Sequence, residues 1–231
     1  MTANLRVTLI QADLAWQAPA TNRRLLAKHF RGLVGHTDLI VLPEMFTTGF
    51  TMDAEGLAET MDGETVRGLR EEAAAWGCAI TGSLIVRDGG RHYNRLVFAK
   101  PDGTVEHYDK RHLFRLAQEN QHYRPGVHRK VIEFKGWRIC PQVCYDLRFP
   151  VWSRNRGDYD ALIYVANWPS RRRVAWSALL KARAIENLCY AVGVNRVGKD
   201  GNGTVYSGDS AVYDFLGESL GGDHGGDCVE T

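Results

Sequence analysis

The chain has 231 residues, of which 44% are hydrophobic, enough for one large domain with a substantial core. Its 29 basic and 27 acidic residues leave a net charge of only +2, which argues against nucleic acid or an anionic membrane surface as a partner. The 5 cysteines are odd in number, no secretory signal pattern opens the chain, and no apolar run approaches the roughly 18 residues of a membrane span, so we expect a cytoplasmic protein without disulfides.

The first half of the chain alternates between strand and helix signals. Apolar alternation predicts a strand over residues 5–11, helical spacing predicts a helix over 22–34, and an apolar run predicts a strand over 38–43. A second helix is expected over 63–76. Two strands then follow, over 78–86 and 93–99, and the turn signal Asp88-Gly89-Gly90 joins them into a hairpin.

The second half continues this alternation after a long polar loop around Glu119. Strands are predicted over 131–134, 137–143, 161–166 and 190–195, and helices over 149–155 and 173–187. Gly201-Asn202-Gly203 indicates a turn rather than a phosphate-binding loop, because its spacing does not fit one. Helices that alternate with strands and hairpins predict an α/β (α+β) fold in which sheet layers are covered by helices.

Two reactive side chains stand where apolar segments end, Glu44 and Cys144, and a third, Lys110, follows Tyr108-Asp109. A thiol has a pKa near ~8.5 and needs a base to become a nucleophile, and a partly desolvated carboxylate such as Glu44 is suited to be that base. Each residue taken alone has a plainer explanation. Cys144 resembles a buried structural thiol, as we expect for Cys140, while Glu44 and Lys110 resemble solvated charges.

The motifs around these residues decide between the two explanations. Pro43-Glu44-Met45-Phe46-Thr47-Thr48-Gly49-Phe50, Cys144-Tyr145-Asp146-Leu147-Arg148-Phe149-Pro150 and Ala166-Asn167-Trp168-Pro169 resemble the nitrilase (carbon-nitrogen hydrolase) superfamily, and within it the omega-amidase branch. The resemblance extends from about residue 5 to about residue 217. It implies a four-layer α-β-β-α sandwich, a single domain over 1–217, and a homodimer or higher homo-oligomer.

The resemblance also implies a role for each reactive residue. Cys144 is the nucleophile and Glu44 the general base, while Lys110 and the backbone N–H of Tyr145 stabilise the oxyanion. Glu119 matches a second glutamate that orients the lysine and the leaving amine. The implied reaction hydrolyses a small amide to an acid and ammonia through a thioester, and it uses no cofactor.

The omega-amidase branch acts on dicarboxylate monoamides such as 2-oxoglutaramate or 2-oxosuccinamate, so a cation is needed for the distal carboxylate. Four arginines near the motifs qualify by type: Arg148, Arg171, Arg172 and Arg173. Two aromatic residues beside the strand ends, Phe46 and Trp168, are candidates for the pocket wall, although core packing explains them equally well.

Other functions remain open at this point. Nitrilases and N-carbamoyl amidohydrolases share the three reactive residues, and a catalytically silent scaffold on the same fold is an alternative from another class. A redox role would need Cys140 as a partner for Cys144, but four residues along a strand place them roughly 13 Å apart. A papain-like pair would need a histidine such as His112, which lies in no histidine motif, and no metal-binding spacing occurs.

The segment 218–231 departs from the family pattern. Relatives in the superfamily continue with a strand pair and a terminal helix, whereas this segment is rich in glycine and has no apolar helical face. We therefore expect an atypical tail, arising from truncation or divergence.

Overall fold

A computed structural model describes residues 4–30, 32–33, 35–223, 226 and 228–230. The first sheet has six strands in the order β14-β1-β2-β3-β4-β5. These strands are β1 (Val7–Gln11), β2 (Leu39–Val41), β3 (Ala79–Asp88), β4 (Arg91–Ala99), β5 (Val105–Asp109) and β14 (Cys228–Glu230). Strands β1, β2 and β3 are parallel, whereas β3, β4 and β5 form an antiparallel meander.

The second sheet also has six strands, in the order β13-β12-β9-β8-β7-β6. They are β6 (Ile132–Phe134), β7 (Trp137–Val143), β8 (Ala161–Ala166), β9 (Tyr190–Asn195), β12 (Ser210–Tyr213) and β13 (Ser219–Asp223). Its centre, β7-β8-β9, is parallel. A separate antiparallel hairpin consists of β10 (Val197–Lys199) and β11 (Val205–Ser207).

Six α-helices connect these strands. They are α1 (Pro19–Phe30), α2 (Ala54–Leu57), α3 (Glu64–Trp76), α4 (Glu119–His122), α5 (Pro150–Ser153) and α6 (Arg173–Asn187). Short 3-10 turns occupy Arg115–Ala117, Cys144–Arg148 and Ser170–Arg172. Within the described part of the chain, no helix combines the length and the apolar character needed to cross a bilayer.

The two sheets pack face to face, with helices on their outer surfaces. Side chains of both sheets, such as Leu39 and Phe98 from one and Ile139 and Ile163 from the other, share one buried cluster. A second cluster lies on the outer face of the first sheet and contains residues of α1 and α3. On the other side α6 covers β9 so closely that a Cβ on Gly193 would lie 2.3 Å from Leu180 Cδ2. The predicted layered sandwich is confirmed.

Most predicted elements lie within a few residues of the observed ones, and the predicted bounds of β7, β8, β9 and α6 coincide with the structure. Three features differ. The polar loop around Glu119 contains the helical turn α4, and the hairpin β10-β11 surrounds the predicted Gly201-Asn202-Gly203 turn. The segment 218–231 contributes β13 and β14, so part of this segment belongs to the two sheets.

This topology brings several strand ends to one edge of the sandwich. Glu44 follows β2, Lys110 follows β5 and Cys144 follows β7, and Asn167 comes directly after β8. Because parallel strands of one sheet end on the same side, their C-terminal residues meet at that edge.

Candidate active site

Cys144 is held on a sharp turn at the end of β7. Its backbone has φ of 43°, a left-handed conformation that residues with a Cβ rarely adopt, and its side chain is buried with 9% exposure. The 3-10 turn Cys144–Arg148 begins here. Tyr145 is its second residue, and N–H groups in the first turn of a helix have no intrahelical acceptor. The turn thus places a thiol and a backbone donor side by side.

Glu44 is fully buried, and its carboxylate accepts three hydrogen bonds. Oε1 accepts hydrogen bonds from Asn94 Nδ2 at 2.8 Å and from Lys110 Nζ at 2.8 Å. Oε2 accepts the backbone N–H of Asn167 at 2.9 Å. The negative charge of this carboxylate acts on the thiol of Cys144 and adds to the effect of burial in raising the thiol pKa. Glu44 is therefore in place to take the thiol proton.

Lys110 bridges two carboxylates. Its Nζ lies 2.8 Å from Glu44 Oε1 and 3.0 Å from both oxygens of Glu119, and only 1% of its side chain is exposed. Glu119 Oε2 accepts the backbone N–H of Phe114 at 2.6 Å. The face of Phe50 lies 5.2 Å from Nζ and covers the ammonium.

Burial and neighbouring charge act against each other in this cluster. Burial alone lowers the pKa of Lys110, but the charges of Glu119 and Glu44 outweigh it, so its pKa is raised and the ammonium is retained. Burial raises the pKa of Glu119, against the opposing charge of Lys110. Burial and the charge of Glu44 raise the pKa of the Cys144 thiol well above its ordinary value. The resting thiol is therefore protonated and needs its base.

The carboxylate of Asp146 connects the residues on either side of Lys110 to the turn that begins at Cys144. Its Oδ2 accepts the backbone N–H of Val143 at 3.1 Å, and its Oδ1 accepts the backbone N–H of His112 at 2.8 Å. It also accepts the hydroxyl of Tyr108 at 2.8 Å and contacts His112 Nδ1 at 2.8 Å. Residues on both sides of Lys110 are thus bonded to a residue two positions after Cys144. The ring of His112 stacks on the ring of Phe149, and its Nδ1 contacts the carboxylate of Asp146.

A pocket of about 670 Å³ opens above the cluster. Glu44, Lys110 and Cys144 lie among its lining residues, and aromatic side chains form much of its wall. The aromatic lining residues are Trp16, Phe50, Phe114, Tyr145, Trp168 and Tyr206. The volume suits a small molecule of a few carbon atoms with room for water.

Three of the four candidate arginines line this pocket: Arg148, Arg171 and Arg172. Arg148 lies over the ring of Trp168 and Arg172 over the ring of Phe114, each at 4.9 Å. Burial lowers the pKa of Arg172, and the like charges of Arg171 and Arg148 add to this effect. Among the described residues no carboxylate forms an ion pair with these three guanidiniums.

Two predicted pocket residues lie elsewhere. Arg173 forms an ion pair with Asp209 and does not line the pocket. Phe46 is 1% exposed and packs in the core cluster between the first sheet and its helices, because the left-handed turn at Met45 (φ of 43°) directs the chain back into the core. Phe50, four residues later, supplies the aromatic wall instead. Trp168 lines the pocket, as predicted from its motif.

Several residues of the site were not singled out by their sequence. Asn94 lies in the middle of β4 and donates to both Glu44 and Glu119. Asn167 donates from its backbone and side chain to Glu44, and Tyr206 comes from the hairpin β10-β11. For Asn167 the available signal is its position directly after the apolar strand β8, because buried amides need partners. Asn94 stands between Tyr93 and Arg95, and its sequence gives no such signal.

In the described ranges of the chain, no three histidine, cysteine, aspartate or glutamate side chains are grouped as metal ligands. The positive charge beside the thiol is that of Lys110, which takes the place that a Lewis acid occupies in metallohydrolases.

Comparisons with known proteins agree with this geometry. The profile of the family described as carbon-nitrogen hydrolase matches residues 6–224. The omega-amidase YafV of Escherichia coli K12 is 49% identical over 216 residues, covering 94% of this chain and 84% of its own length. The 2-oxoglutaramate amidase of Bacillus subtilis is 32% identical, covering 93% of this chain and 84% of the relative.

Solved structures give the same result. A carbon-nitrogen hydrolase superfamily protein from Xanthomonas campestris, whose active site carries an arsenic adduct, superimposes with a TM-score of 0.97 at 50% identity. The match covers 99% of this chain and 89% of the other. The family predicted from the three sequence motifs is thereby confirmed: the chain belongs to the carbon-nitrogen hydrolase family.

Proposed function

We propose that the protein is an omega-amidase that hydrolyses a small dicarboxylate monoamide, such as 2-oxoglutaramate or 2-oxosuccinamate, to the acid and ammonia. One observation carries the proposal. The pocket has a buried thiol with its base and an ammonium at one side, and three arginines without a carboxylate partner in the described chain at another. A molecule with an amide at one end and a carboxylate at the other is complementary to both. The relatives named omega-amidase and 2-oxoglutaramate amidase support this substrate class.

The proposed first half-reaction forms a thioester. Glu44 takes the thiol proton of Cys144 as the sulfur attacks the amide carbon, and the carbonyl oxygen becomes an oxyanion. Lys110 and the N–H of Tyr145 stabilise that oxyanion, and loss of one such donor typically costs ~10²- to 10³-fold in rate. When the carbon–nitrogen bond breaks, the nitrogen takes the proton from Glu44 and leaves as ammonia. Glu119 orients Lys110 and the amine through its contacts with Nζ.

The second half-reaction consumes water. Glu44 removes a proton from a water molecule as its oxygen attacks the thioester carbon, and the same two donors stabilise the second oxyanion. Breaking the carbon–sulfur bond releases the acid, and the sulfur of Cys144 recovers its proton from Glu44. The carboxylate, thiol and ammonium end in the states in which they began.

We assign the distal carboxylate of the substrate to Arg172 and Arg148. A carboxylate between them would relieve the like-charge repulsion that lowers the pKa of Arg172. Arg172→Gln and Arg148→Gln should each raise KM for 2-oxoglutaramate about 10- to 100-fold, because that is the usual loss of affinity when a hydrogen bond to a charged group is removed. Arg173→Gln is the matched control, because Arg173 pairs with Asp209 outside the pocket.

The assay is ammonia release from 2-oxoglutaramate, with butyramide as an uncharged amide and Cys144→Ala as the inactive reference. We expect the two arginine variants to lose their preference for the charged amide while their activity on butyramide changes little. An equal loss on both amides, or the same loss in Arg173→Gln, would contradict the assignment. Faster ammonia release from a nitrile or an N-carbamoyl amino acid would favour those members of the family instead.

We also propose that the enzyme works in the cytoplasm as a homo-oligomer. Its buried thiols Cys78, Cys140 and Cys189 are free, as expected in a reducing compartment. Apolar side chains on α5 and α6 are open to solvent, with Val151 85% and Val174 79% exposed, and a second copy would cover them. Light scattering after size exclusion tests this: a mass of 25.9 kDa would mean a monomer.

A further inference from the structure

Asn94 connects the two carboxylates of the candidate active site. Its Nδ2 donates to Glu44 Oε1 at 2.8 Å and to Glu119 Oε1 at 3.2 Å, and the residue is fully buried. It lies in β4 and its backbone carbonyl accepts the N–H of Lys110 at 3.0 Å. Asn94 therefore contacts each of the three charged residues of the cluster, although it does not line the pocket.

The orientation of this amide is fixed by Ser83. The backbone N–H of Met45 donates to Ser83 Oγ at 2.9 Å, and the Ser83 hydroxyl lies 2.8 Å from Asn94 Oδ1. Because the hydroxyl has a single proton and Oδ1 is an acceptor, Ser83 donates to Asn94. The amide must then turn its NH₂ group, with two protons, towards the two carboxylates. Ser83 also bonds the residue directly after Glu44, so the same hydroxyl holds the base and the amide.

We propose that Asn94, oriented by Ser83, is a positioning residue that keeps the carboxylates of Glu44 and Glu119 correctly aimed for the thiol. Lys110 is the one cation that contacts both carboxylates in the described chain, and it must also serve the oxyanion. A neutral donor shared between the two carboxylates offsets their repulsion without adding a charge that would weaken the base. Asn94 and Lys110 occupy Glu44 Oε1, which leaves acceptor capacity on Oε2.

This inference rests on the proposed function, because it assumes that Glu44 is the base for Cys144. Two variants test it: Asn94→Leu, which removes the shared donor, and Ser83→Ala, which removes one hydroxyl and leaves the amide free to turn. The control is Asn187→Leu, a buried asparagine with its own side-chain bonds to Asn155 and Arg183, outside the pocket.

The first readout is the pH profile of kcat/KM for ammonia release. Carboxylates that lose a donor bind protons more tightly, so the acidic limb should move to higher pH by roughly one unit in Asn94→Leu. We expect kcat to fall ~100-fold, as for a misplaced catalytic group, with KM nearly unchanged. Ser83→Ala should move the limb in the same direction by a smaller amount, and Asn187→Leu should leave it in place.

The second readout is the rate of Cys144 alkylation by iodoacetamide across pH, followed by peptide mass spectrometry. This rate depends on the charges beside the thiol and needs no amide substrate, so it separates this inference from the substrate assignment. If the wild type alkylates readily but hydrolyses no 2-oxoglutaramate, the substrate proposal fails while the alkylation profiles still decide the role of Asn94. If wild-type turnover is normal and neither variant moves either profile, the positioning role is wrong. If Asn94→Leu does not fold, Ser83→Ala alone decides.

Discussion

At the scale of single residues, the thiol of Cys144 is subject to opposing influences. Burial and the negative charge of Glu44 raise its pKa, whereas the ammonium of Lys110 lowers it. The proposed base, Glu44, therefore also disfavours a standing thiolate. A nucleophile in this state reacts when its proton is transferred during attack, and it is protected from oxidation at rest.

This balance predicts opposite effects of Glu44→Gln on two reactions. Amide hydrolysis should fall at least ~10³-fold, because no carboxylate remains to move the proton. The pKa of Cys144 should fall, because a negative neighbour is gone and Lys110 remains, so alkylation by iodoacetamide should begin at lower pH than in the wild type. The measurement is the pH dependence of alkylation beside ammonia release. A shift of alkylation to higher pH would show that Glu44 does not raise the thiol pKa.

The sequence alone was enough to predict the reactive residues, but it was not enough to predict the residues that hydrogen-bond to them. Glu44 and Cys144 follow apolar strand segments, Lys110 follows Tyr108-Asp109, and all three match the family pattern, so their type and position can be read from the sequence. Asn94 interacts with residues 50 positions before it and 25 after it. Only strand pairing brings those positions together. For Phe46, which neighbours Glu44, the sequence left a place in the pocket wall and core packing equally open; after the left-handed turn at Met45 it packs in the core.

At the scale of elements, the close contact of α6 with the second sheet depends on one glycine. A Cβ on Gly193 would lie 2.3 Å from Leu180 Cδ2 and 2.8 Å from Trp176 Cζ2, both fully buried side chains of α6. The absent Cβ lets the helix approach β9. Since α6 begins directly after the arginine-bearing turn Ser170–Arg172, its position also sets that side of the pocket.

Gly193→Ala should therefore destabilise the fold by about 1–3 kcal/mol, the usual cost of an overpacked core. Gly68→Ala is the matched control: Gly68 lies within α3, and its added Cβ would meet no atom within 4 Å. That change should stabilise the protein by about 0.5–1 kcal/mol, because alanine has the higher helix propensity. Urea denaturation of both variants is the measurement, and a neutral Gly193→Ala would mean that α6 can shift without cost.

Elements were predictable where their pattern is local. The bounds of β7, β8, β9 and α6 follow from continuous apolar runs or helical periodicity, because these segments are buried along their length or on one face. The hairpin β10-β11 was not predicted because each of its three-residue strands mixes apolar with polar or glycine residues, unlike the wholly apolar β2 of the same length. Its order depends on contacts such as the bond from Tyr206 to Asp200 at 2.8 Å.

At the scale of the whole molecule, a three-residue ion cluster joins the two sheets at one end of the sandwich. Asp38 lies just before β2 of the first sheet, with 6% exposure, and accepts the backbone N–H of Arg6 at 2.8 Å. Its other oxygen lies 2.6 Å from Nζ of Lys135, which is on the turn between β6 and β7 of the second sheet. Burial raises the pKa of Asp38, but the hydrogen bonds from Arg6 and Lys135 outweigh it and hold the pKa well below its ordinary value.

The sign of the resulting pH dependence follows from that lowered pKa. A carboxyl group with a depressed pKa in the folded state stabilises the fold fully above its unfolded-state value of about 3.9, and the contribution is lost as pH falls towards the folded-state value. At pH 7 Asp38→Asn should lower stability by about 1 kcal/mol, because both cationic partners are half-exposed and screened. For a chain of this size that corresponds to a fall in Tm of about 2–4 °C.

The measurement is thermal unfolding of the wild type and Asp38→Asn between pH 7 and pH 3, with Asp62→Asn, at an exposed position, as the control. The difference in Tm should be constant from pH 7 to about pH 5. It should narrow below about pH 4, because the wild type then loses the stabilisation by the ionised Asp38 carboxylate, which the variant lacks at every pH. Added salt should reduce it, since Lys135 and Arg6 are open to solvent. A difference that grows as the pH falls would require the folded-state pKa of Asp38 to lie above its unfolded-state value, and the cluster would then not hold the sheets together by charge.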